Sequence, residues 1–122
     1  MPGTVVQHRW SDVASEAVAQ GVERRYITGD RVTIAQFHLK KGSVVPRHSH
    51  ESEQVTQVVT GALKFMFDGE TFVVRGGDAL QIPSWAPHEV EVLEDTYVID
   101  VFSPVRQDWL DKTDTYFTRS RA

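Results

Sequence analysis

Turn-forming residue pairs recur at short intervals along the middle of this chain, and their spacing constrains the fold more than any other feature. Between them lie short runs rich in Val, Ile, Phe, Thr and Tyr, the residue types that favour β-strands. The pairs are Gly29-Asp30, Lys41-Gly42, Thr60-Gly61, Asp68-Gly69, Gly76-Gly77 and Glu94-Asp95. Short strands separated by turns at this spacing predict an all-β sandwich or barrel.

The clearest local signal is a hairpin at Asp68-Gly69, because the favoured two-residue turn needs positive φ at both positions. It predicts one strand over Leu63–Phe67 and another over Glu70–Val74. The stretch Ser11–Gln20 has a thin apolar face, a capping residue at its start and a Gly after its end, which predicts a short helix. The other predicted strands are Val22–Thr28, Val32–Leu39, Gln54–Thr60, Ala79–Ile82, Glu89–Leu93 and Tyr97–Phe102.

Length, charge and the lack of cysteine limit the functions open to this chain. Its 122 residues suit one domain, and a net charge of -4 without a basic block argues against nucleic-acid binding. No apolar run approaches the roughly 20 residues of a membrane span, and the N-terminal sequence lacks the features of a secretory signal. We therefore expect a soluble, cytoplasmic protein that does not bind membranes. Without Cys, any metal must be held by nitrogen and oxygen donors.

Three histidines and a glutamine point most directly to chemistry: His48, His50, Gln54 and His88. Residues i and i+2 of a strand project to the same side, so a strand through His48 and His50 would chelate from one sheet face. Neighbouring strands could then complete the site. Imidazole nitrogens and an amide oxygen suit one divalent transition metal such as Zn, Ni, Mn, Fe or Co.

These residues fall into two motifs that resemble those of the cupin superfamily. The first motif runs Gly, five residues, His-x-His, three or four residues, an acidic ligand, six residues and Gly; here it reads Gly42, His48, His50, Gln54 and Gly61. The second runs Gly, five residues, Pro-x-Gly, two residues and His; here it reads Gly77, Pro83, Trp85 and His88. The spacings match, but Gln54 stands in the usual Glu position and Trp85 stands in place of Gly.

The resemblance implies a single-domain double-stranded β-helix, the cupin or jelly-roll barrel. Its core would span about residues 22–105, with an N-terminal arm over 1–21 and a C-terminal extension over 106–122. The extension is polar with interspersed aromatic residues, and we expect it to pack on the barrel. Cupins often dimerise, so we also expect a homodimer in which a partner covers the apolar side chains of Tyr97, Ile99 and Val101.

The glutamine and the last predicted strand resemble the KdgF-type cupins of uronate catabolism. That family binds a divalent metal through a His-His-Gln-His set and lines its pocket with an Asp, a Phe and an Arg. Carried over, the metal ligands are His48, His50, Gln54 and His88, and the pocket residues are Asp100, Phe102 and Arg106. The family converts cyclic 4,5-unsaturated uronates, the products of pectate and alginate lyases, into open-chain keto forms. The resemblance therefore implies a small anionic sugar as the substrate.

Asp100 is the most unusual residue of its strand, which is otherwise apolar. Alternation places it on one face with Val98 and Phe102, where a carboxylate must find a partner or undergo a rise in its pKa. A raised pKa suits proton transfer, so we take Asp100 as the general acid or base. The planar fork of Arg106 could hold a substrate carboxylate. Trp85 either stacks on a sugar ring or only covers the barrel end.

Several alternatives remain open from the sequence. Glu53 could replace Gln54 as a ligand only through a slip of one residue, which would turn it to the other sheet face. His38 could be an extra ligand, although its strand places it opposite the more apolar face. The activity could also be that of another metal-dependent cupin enzyme, such as a dioxygenase, a polyketide cyclase or a lyase. A sugar- or small-acid-binding module without turnover is the remaining alternative.

Overall fold

The computed structural model describes residues 3–118 of the chain, so residues 1–2 and 119–122 of the expected arm and extension lie outside the described residues. No helix in the described range is long and apolar enough to span a membrane. Helical turns cover Trp10–Asp12, Gln107–Leu110 (α1) and Thr115–Thr118. The strands are β1 (Glu16–Ala19), β2 (Val22–Thr28), β3 (Thr33–Leu39), β4 (Val44–His48), β5 (Glu53–Thr60), β6 (Ala62–Phe67), β7 (Glu70–Arg75), β8 (Ala79–Ile82), β9 (His88–Val92) and β10 (Thr96–Ser103).

The strands pair into two antiparallel sheets. The larger sheet has six strands in the order β1-β2-β3-β10-β5-β8, and the smaller has four in the order β4-β9-β6-β7. Strands far apart in sequence therefore lie side by side, as β3, β10 and β5 do. The apolar inner faces of the two sheets share one core. This arrangement confirms the predicted all-β fold, a double-stranded β-helix of the cupin or jelly-roll type.

The predicted strand bounds lie within one residue of the observed ones, but the prediction of a helix over Ser11–Gln20 is wrong. Only a 3-10 turn over Trp10–Asp12 is helical there, and β1 follows it and pairs with the edge of β2. Pairing with an existing sheet satisfies the backbone of β1, which outweighs a weak helical pattern. The strand expected through His48 and His50 is β4, but its bounds could not be read from the sequence because Pro46 interrupts the pattern. Proline is tolerated at that position because β4 is an edge strand of the smaller sheet.

Alternation along β10 separates a barrel-facing side from an outer side. Val98, Asp100 and Phe102 are buried, whereas Val101 is 36% exposed and its outer neighbours on the same strand are partly exposed. Asp100 therefore lies inside the barrel, as its strand pattern predicted. The expected homodimer would cover the outer side, which includes Tyr97 and Ile99. It stays a prediction, because its support is this partly apolar outer face alone.

The C-terminal segment, residues 107–118, folds back over one end of the barrel. Trp109 on α1 is buried, with the guanidinium carbons of Arg24 and Arg106 lying 4.2 and 4.4 Å from its ring centroid. Further along the segment, Asp114 Oδ2 accepts a hydrogen bond of 3.0 Å from Arg24 Nη1. The expectation that the extension packs on the barrel is thus correct for its described residues.

Candidate metal centre

Strands β4 and β9 bring His48 and His88 directly opposite each other in the smaller sheet. Their ring centroids are 4.3 Å apart. His50 reaches the same place from the loop after β4, with its ring centroid 5.5 Å from that of His48 and 5.3 Å from that of His88. The strand expected to carry both His48 and His50 ends at His48, so that part of the prediction is wrong. The loop, rather than strand alternation, turns His50 inward.

Backbone carbonyls fix the orientation of all three rings. The Nδ1 atoms of His48, His50 and His88 lie 2.8, 2.9 and 2.8 Å from the carbonyl oxygens of Pro46, Ser52 and Ala86. A carbonyl oxygen only accepts, so each Nδ1 carries the proton and donates it. Each Nε2 is then left with a free lone pair, and one nitrogen of each ring lies within 4.8 Å of the others. This is the orientation that metal-binding histidines adopt.

The environment keeps these imidazoles neutral. Burial lowers the pKa of His48 well below its usual range, and the neighbouring His88 lowers it further. Burial, assisted by the charge of Arg106, lowers the pKa of His50 to about 4. Burial also lowers the pKa of His88. The neutral ring is the form that binds a metal, so the cluster is ready for an ion at neutral pH.

Gln54 adds an oxygen to the cluster from the larger sheet. It is 5% exposed on β5, and its Oε1 lies 3.1 Å from Nε2 of His50. Both atoms are acceptors when His50 is neutral and its Nδ1 donates to Ser52. Two facing lone pairs repel each other unless a cation lies between them. The donor set therefore fits a divalent transition metal, and His48, His50 and His88 could hold one together.

Asp100 lies next to this cluster and is connected to it through a hydroxyl group. Thr56 donates from Oγ1 to Asp100 Oδ1 over 2.7 Å and accepts a hydrogen bond of 2.8 Å from Gln54 Nε2. Burial raises the pKa of Asp100 to about 6, although the hydrogen bond from Thr56 and the charge of Arg106 oppose the rise. A carboxyl group with a pKa near the working pH can both accept and release a proton.

Arg106 is 2% exposed, and a neighbouring carboxylate already occupies its fork. Its Nε and Nη2 donate to the two oxygens of Asp108 over 2.9 and 2.7 Å. Nη2 also donates to the hydroxyl of Tyr116 over 3.2 Å. The guanidinium carbon lies 4.8 Å from the ring centroid of Phe102. A substrate carboxylate that bound to this Nε–Nη2 edge would take the place of Asp108.

The structure gathers most of the predicted site residues and leaves three outside. Phe102 faces the cluster, with its ring centroid 5.6 Å from that of His50. Trp85 is 61% exposed and does not line the cavity between the described site residues. Glu53 points outward and accepts a hydrogen bond from Gln81, as the alternation of β5 predicted. His38 is exposed and stacks on Tyr97.

A cavity of about 50 Å³ remains between the two sheets and the C-terminal segment. The barrel contributes His48, His88, Gln54, Asp100, Phe102 and Arg106 to its walls, and the C-terminal segment contributes Trp109, Tyr116 and Phe117. The ring of Tyr116 stacks on that of His48, with centroids 4.0 Å apart and planes 6° apart. The C-terminal segment therefore forms the wall of the cavity next to the histidine cluster.

Sequence reasoning missed Thr56, Asp108 and Tyr116. Thr56 left a usable signal, because strand alternation places it on the same inner face as Gln54, two residues away. The other two left none, since they reach the site through the packing of the C-terminal segment rather than through a periodic pattern.

Comparison with known proteins agrees with this geometry. Residues 35–102, more than half of the chain, match the Cupin domain family. The pectin degradation protein KdgF of Dickeya dadantii is 32% identical over 98 residues, 78% of this chain and 89% of that protein. The structure of KdgF from Halomonas sp. matches with a TM-score of 0.75 and 30% identity, over 81% of this chain and 94% of that one. An RmlC-like cupin from Shewanella frigidimarina shares the fold, with a TM-score of 0.79 and 24% identity, over 87% of this chain and 96% of that one. The chain therefore belongs to the cupin family, as a KdgF-like cupin.

Proposed function

We propose that this chain is a metal-dependent enzyme that opens the ring of a 4,5-unsaturated uronate and converts it to the keto form. The observation that carries the proposal is the shared cavity: His48, His88 and Gln54 line it together with Asp100, Phe102 and Arg106. The relative from Dickeya dadantii is named as a pectin degradation protein. Metal ligands beside a proton-transfer group and a guanidinium cation suit a sugar that carries a negative charge and exchanges protons during the reaction.

The metal would be held by His48, His50, His88 and Gln54. All four side chains are neutral, so a divalent ion keeps its full charge. When bound, it supplies Lewis-acid polarisation of substrate oxygens, which is stronger than in a site neutralised by a Glu ligand. Its retained charge also attracts a uronate carboxylate.

The proton-transfer step falls to Asp100. In the proposed reaction Asp100 moves a proton as the hemiacetal ring opens, and the resulting enol then becomes the ketone. Its pKa of about 6 lets it act in either direction near neutral pH. The ring of Phe102 offers an apolar wall, and Arg106 would hold the substrate carboxylate once Asp108 moves away.

The size of the cavity sets a condition on this function. A cavity of about 50 Å³ holds only a few water molecules, whereas sites for small organic ligands typically enclose about 300–1,000 Å³. The C-terminal segment forms one wall of the cavity. A uronate would therefore reach the metal ligands only if the cavity widened, and movement of this segment would widen it.

The test is a time course of the ultraviolet absorbance of the conjugated double bond in an unsaturated galacturonate monomer. Protein loaded with Zn²⁺, Ni²⁺, Mn²⁺, Fe²⁺ or Co²⁺ is compared with chelated protein and with the spontaneous reaction. We expect a metal-dependent loss of absorbance that is faster than the spontaneous decay. No acceleration with any of these metals would reject the activity. Oxygen uptake with other substrates would then point to a dioxygenase, and uronate binding without turnover would point to a binding module.

A further inference from the structure

Thr56 connects two site residues to which the proposed function gives separate roles. It is fully buried on β5, with its hydroxyl 2.7 Å from Asp100 Oδ1 and 2.8 Å from Gln54 Nε2. A hydroxyl has one proton to donate. Because an ionised carboxylate only accepts, Thr56 gives that proton to Asp100 and can only accept from Gln54.

This direction of hydrogen bonding decides which way the carboxamide of Gln54 faces. Its NH2 group must point to Thr56, so its oxygen points the opposite way, to 3.1 Å from Nε2 of His50. The reversed carboxamide would place NH2 protons toward the histidine cluster. An NH2 group is not a metal ligand, and its protons would be repelled by a cation.

We propose that Thr56 is a positioning residue that aims the carboxamide oxygen of Gln54 at the three histidines, with Asp100 as its anchor. This inference rests on the proposed function only in treating the histidine cluster as a metal centre. Asp100 then has two roles: it transfers a proton, and through Thr56 it helps to hold the metal ligand Gln54 in place.

The test measures Zn²⁺ affinity by competition with a chromophoric chelator. Thr56→Val keeps the shape of the side chain and removes the hydroxyl, and Thr56→Ser keeps the hydroxyl. Losing a residue that orients a ligand typically weakens metal affinity by about 10–100-fold, and we expect this for Thr56→Val. Thr56→Ser should remain within a few-fold of the wild type. If Thr56→Val does not fold, Thr56→Ala is measured with the same expectation.

A double-mutant cycle separates positioning from a general effect on the fold. In a Gln54→Ala background Thr56 has no ligand to orient, so adding Thr56→Val should change Zn²⁺ affinity little. Equal losses in both backgrounds would overturn the inference, as would a Thr56→Val protein with wild-type affinity. If the wild-type protein binds none of Zn²⁺, Ni²⁺, Mn²⁺, Fe²⁺ and Co²⁺, the metal centre itself fails, and the proposed function fails with it.

A second inference concerns the C-terminal segment and rests on different contacts. Tyr116 stacks on the metal-ligand candidate His48, and its hydroxyl accepts from Arg106. Outside the cavity, Asp114 is held by Arg24, which also pairs with Glu16 on β1. The segment therefore contacts cavity residues through Tyr116 and is held outside the cavity by the ion pair between Asp114 and Arg24.

We infer that residues 113–118 form a gate over the histidine cluster, with the Arg24–Asp114 ion pair as its latch. Asp114→Asn weakens the latch without touching a cavity residue. Glu16→Gln is the matched control, because it removes the other carboxylate from Arg24 and leaves the gate intact. Each variant removes one carboxylate partner of Arg24: Asp114→Asn removes the partner on the C-terminal segment, and Glu16→Gln removes the partner on β1.

Two rates test the gate: hydrogen exchange in peptides covering residues 107–118, and removal of bound Zn²⁺ by a chelator in excess. Arg24 and Asp114 are both largely buried, so loss of this charged hydrogen bond should raise both rates by at least about tenfold in Asp114→Asn, with Glu16→Gln close to the wild type. Equal rates in Asp114→Asn and wild type would overturn the gate, as would an equal acceleration in Glu16→Gln. Hydrogen exchange reports on the gate even in protein that holds no metal.

Discussion

Asp100 is the residue whose substitution most directly tests the proposed chemistry. Asp100→Asn keeps an oxygen that can accept from Thr56 but removes the proton-transfer group. We expect kcat on the unsaturated uronate to fall by about 100–10,000-fold, the usual contribution of general acid–base catalysis. Zn²⁺ content, measured by elemental analysis, should stay near one ion per chain. Full turnover in a metal-loaded Asp100→Asn protein would exclude Asp100 as the proton-transfer group.

Trp85 carries a backbone conformation that suits glycine. Its φ is 65°, a left-handed value that is costly for a bulky residue, and it occupies the position where the cupin motif has Gly. Its side chain is 61% exposed, so little packing would be lost on its removal. Trp85→Gly should therefore raise the free energy of unfolding by about 1 kcal/mol in urea denaturation.

Trp85→Ala is the control for this prediction, because Ala keeps the Cβ that makes the left-handed conformation costly. It should show no comparable gain. The same two proteins also address the open role of the indole in sugar binding. If Trp85 stacks on the substrate after the gate opens, both variants should show a raised KM for the uronate. Unchanged KM in both would leave the indole as a cover for the barrel end.

At the level of elements, the sequence predicted what strand periodicity encodes. Alternation along β10 placed Asp100 and Phe102 inside, and alternation along β5 placed Gln54 inside and Glu53 outside. Periodicity carries no information about a loop. Strand alternation was expected to turn His50 inward, whereas the loop after β4 does so. The C-terminal segment was beyond prediction for the same reason, since tertiary packing alone brings Tyr116 onto His48.

Two glycines in turns between strands differ in how closely other atoms surround them. Substituting each one tests how tightly the chain packs at its turn. Gly61 has a φ of 99°, and a Cβ there would clash with Thr96 and lie 2.5 Å from the carbonyl oxygen of Asp95. Gly42 has a φ of 88°, and a Cβ there would meet nothing within 4 Å. Gly42→Ala should cost about 1–2 kcal/mol from its backbone alone. Gly61→Ala should cost about 1–3 kcal/mol more, because the neighbouring backbone must move.

Both costs are measured as differences in the free energy of unfolding from urea denaturation. Equal destabilisation in the two variants would show that the contact between Gly61 and the turn before β10 is looser than described. A larger loss in Gly42→Ala would contradict the assigned environments of both turns.

At the scale of the whole molecule, the centre depends on closing two sheets over each other. His48 and His88 come from the smaller sheet, and Gln54, Thr56 and Asp100 come from the larger. Folding therefore buries titratable groups from both sheets at one place. The stability of the metal-free protein must depend on pH through these groups.

Metal-free protein should lose stability as the pH falls below about 6.5, the unfolded pKa of histidine. The folded pKa values of His48, His50 and His88 are all lowered, so below that pH the unfolded chain binds more protons than the folded one. Each such imidazole contributes up to about 1.4 kcal/mol per pH unit. Asp100 acts oppositely between about pH 4 and 6, because its raised pKa keeps a proton on the folded state.

Urea denaturation in the presence of a chelator, repeated between pH 7.5 and 5 (a range chosen about the histidine pKa), measures this dependence. His88→Gln removes one of the three imidazoles, so its stability should fall less steeply below about pH 6.5, by up to about 1.4 kcal/mol per pH unit. The comparison of slopes matters more than absolute stability, since the substitution also changes packing. Parallel slopes for the wild type and His88→Gln would show that His88 is not held neutral in the folded protein. The cluster would then not be prepared for a metal in the way that its carbonyl contacts indicate.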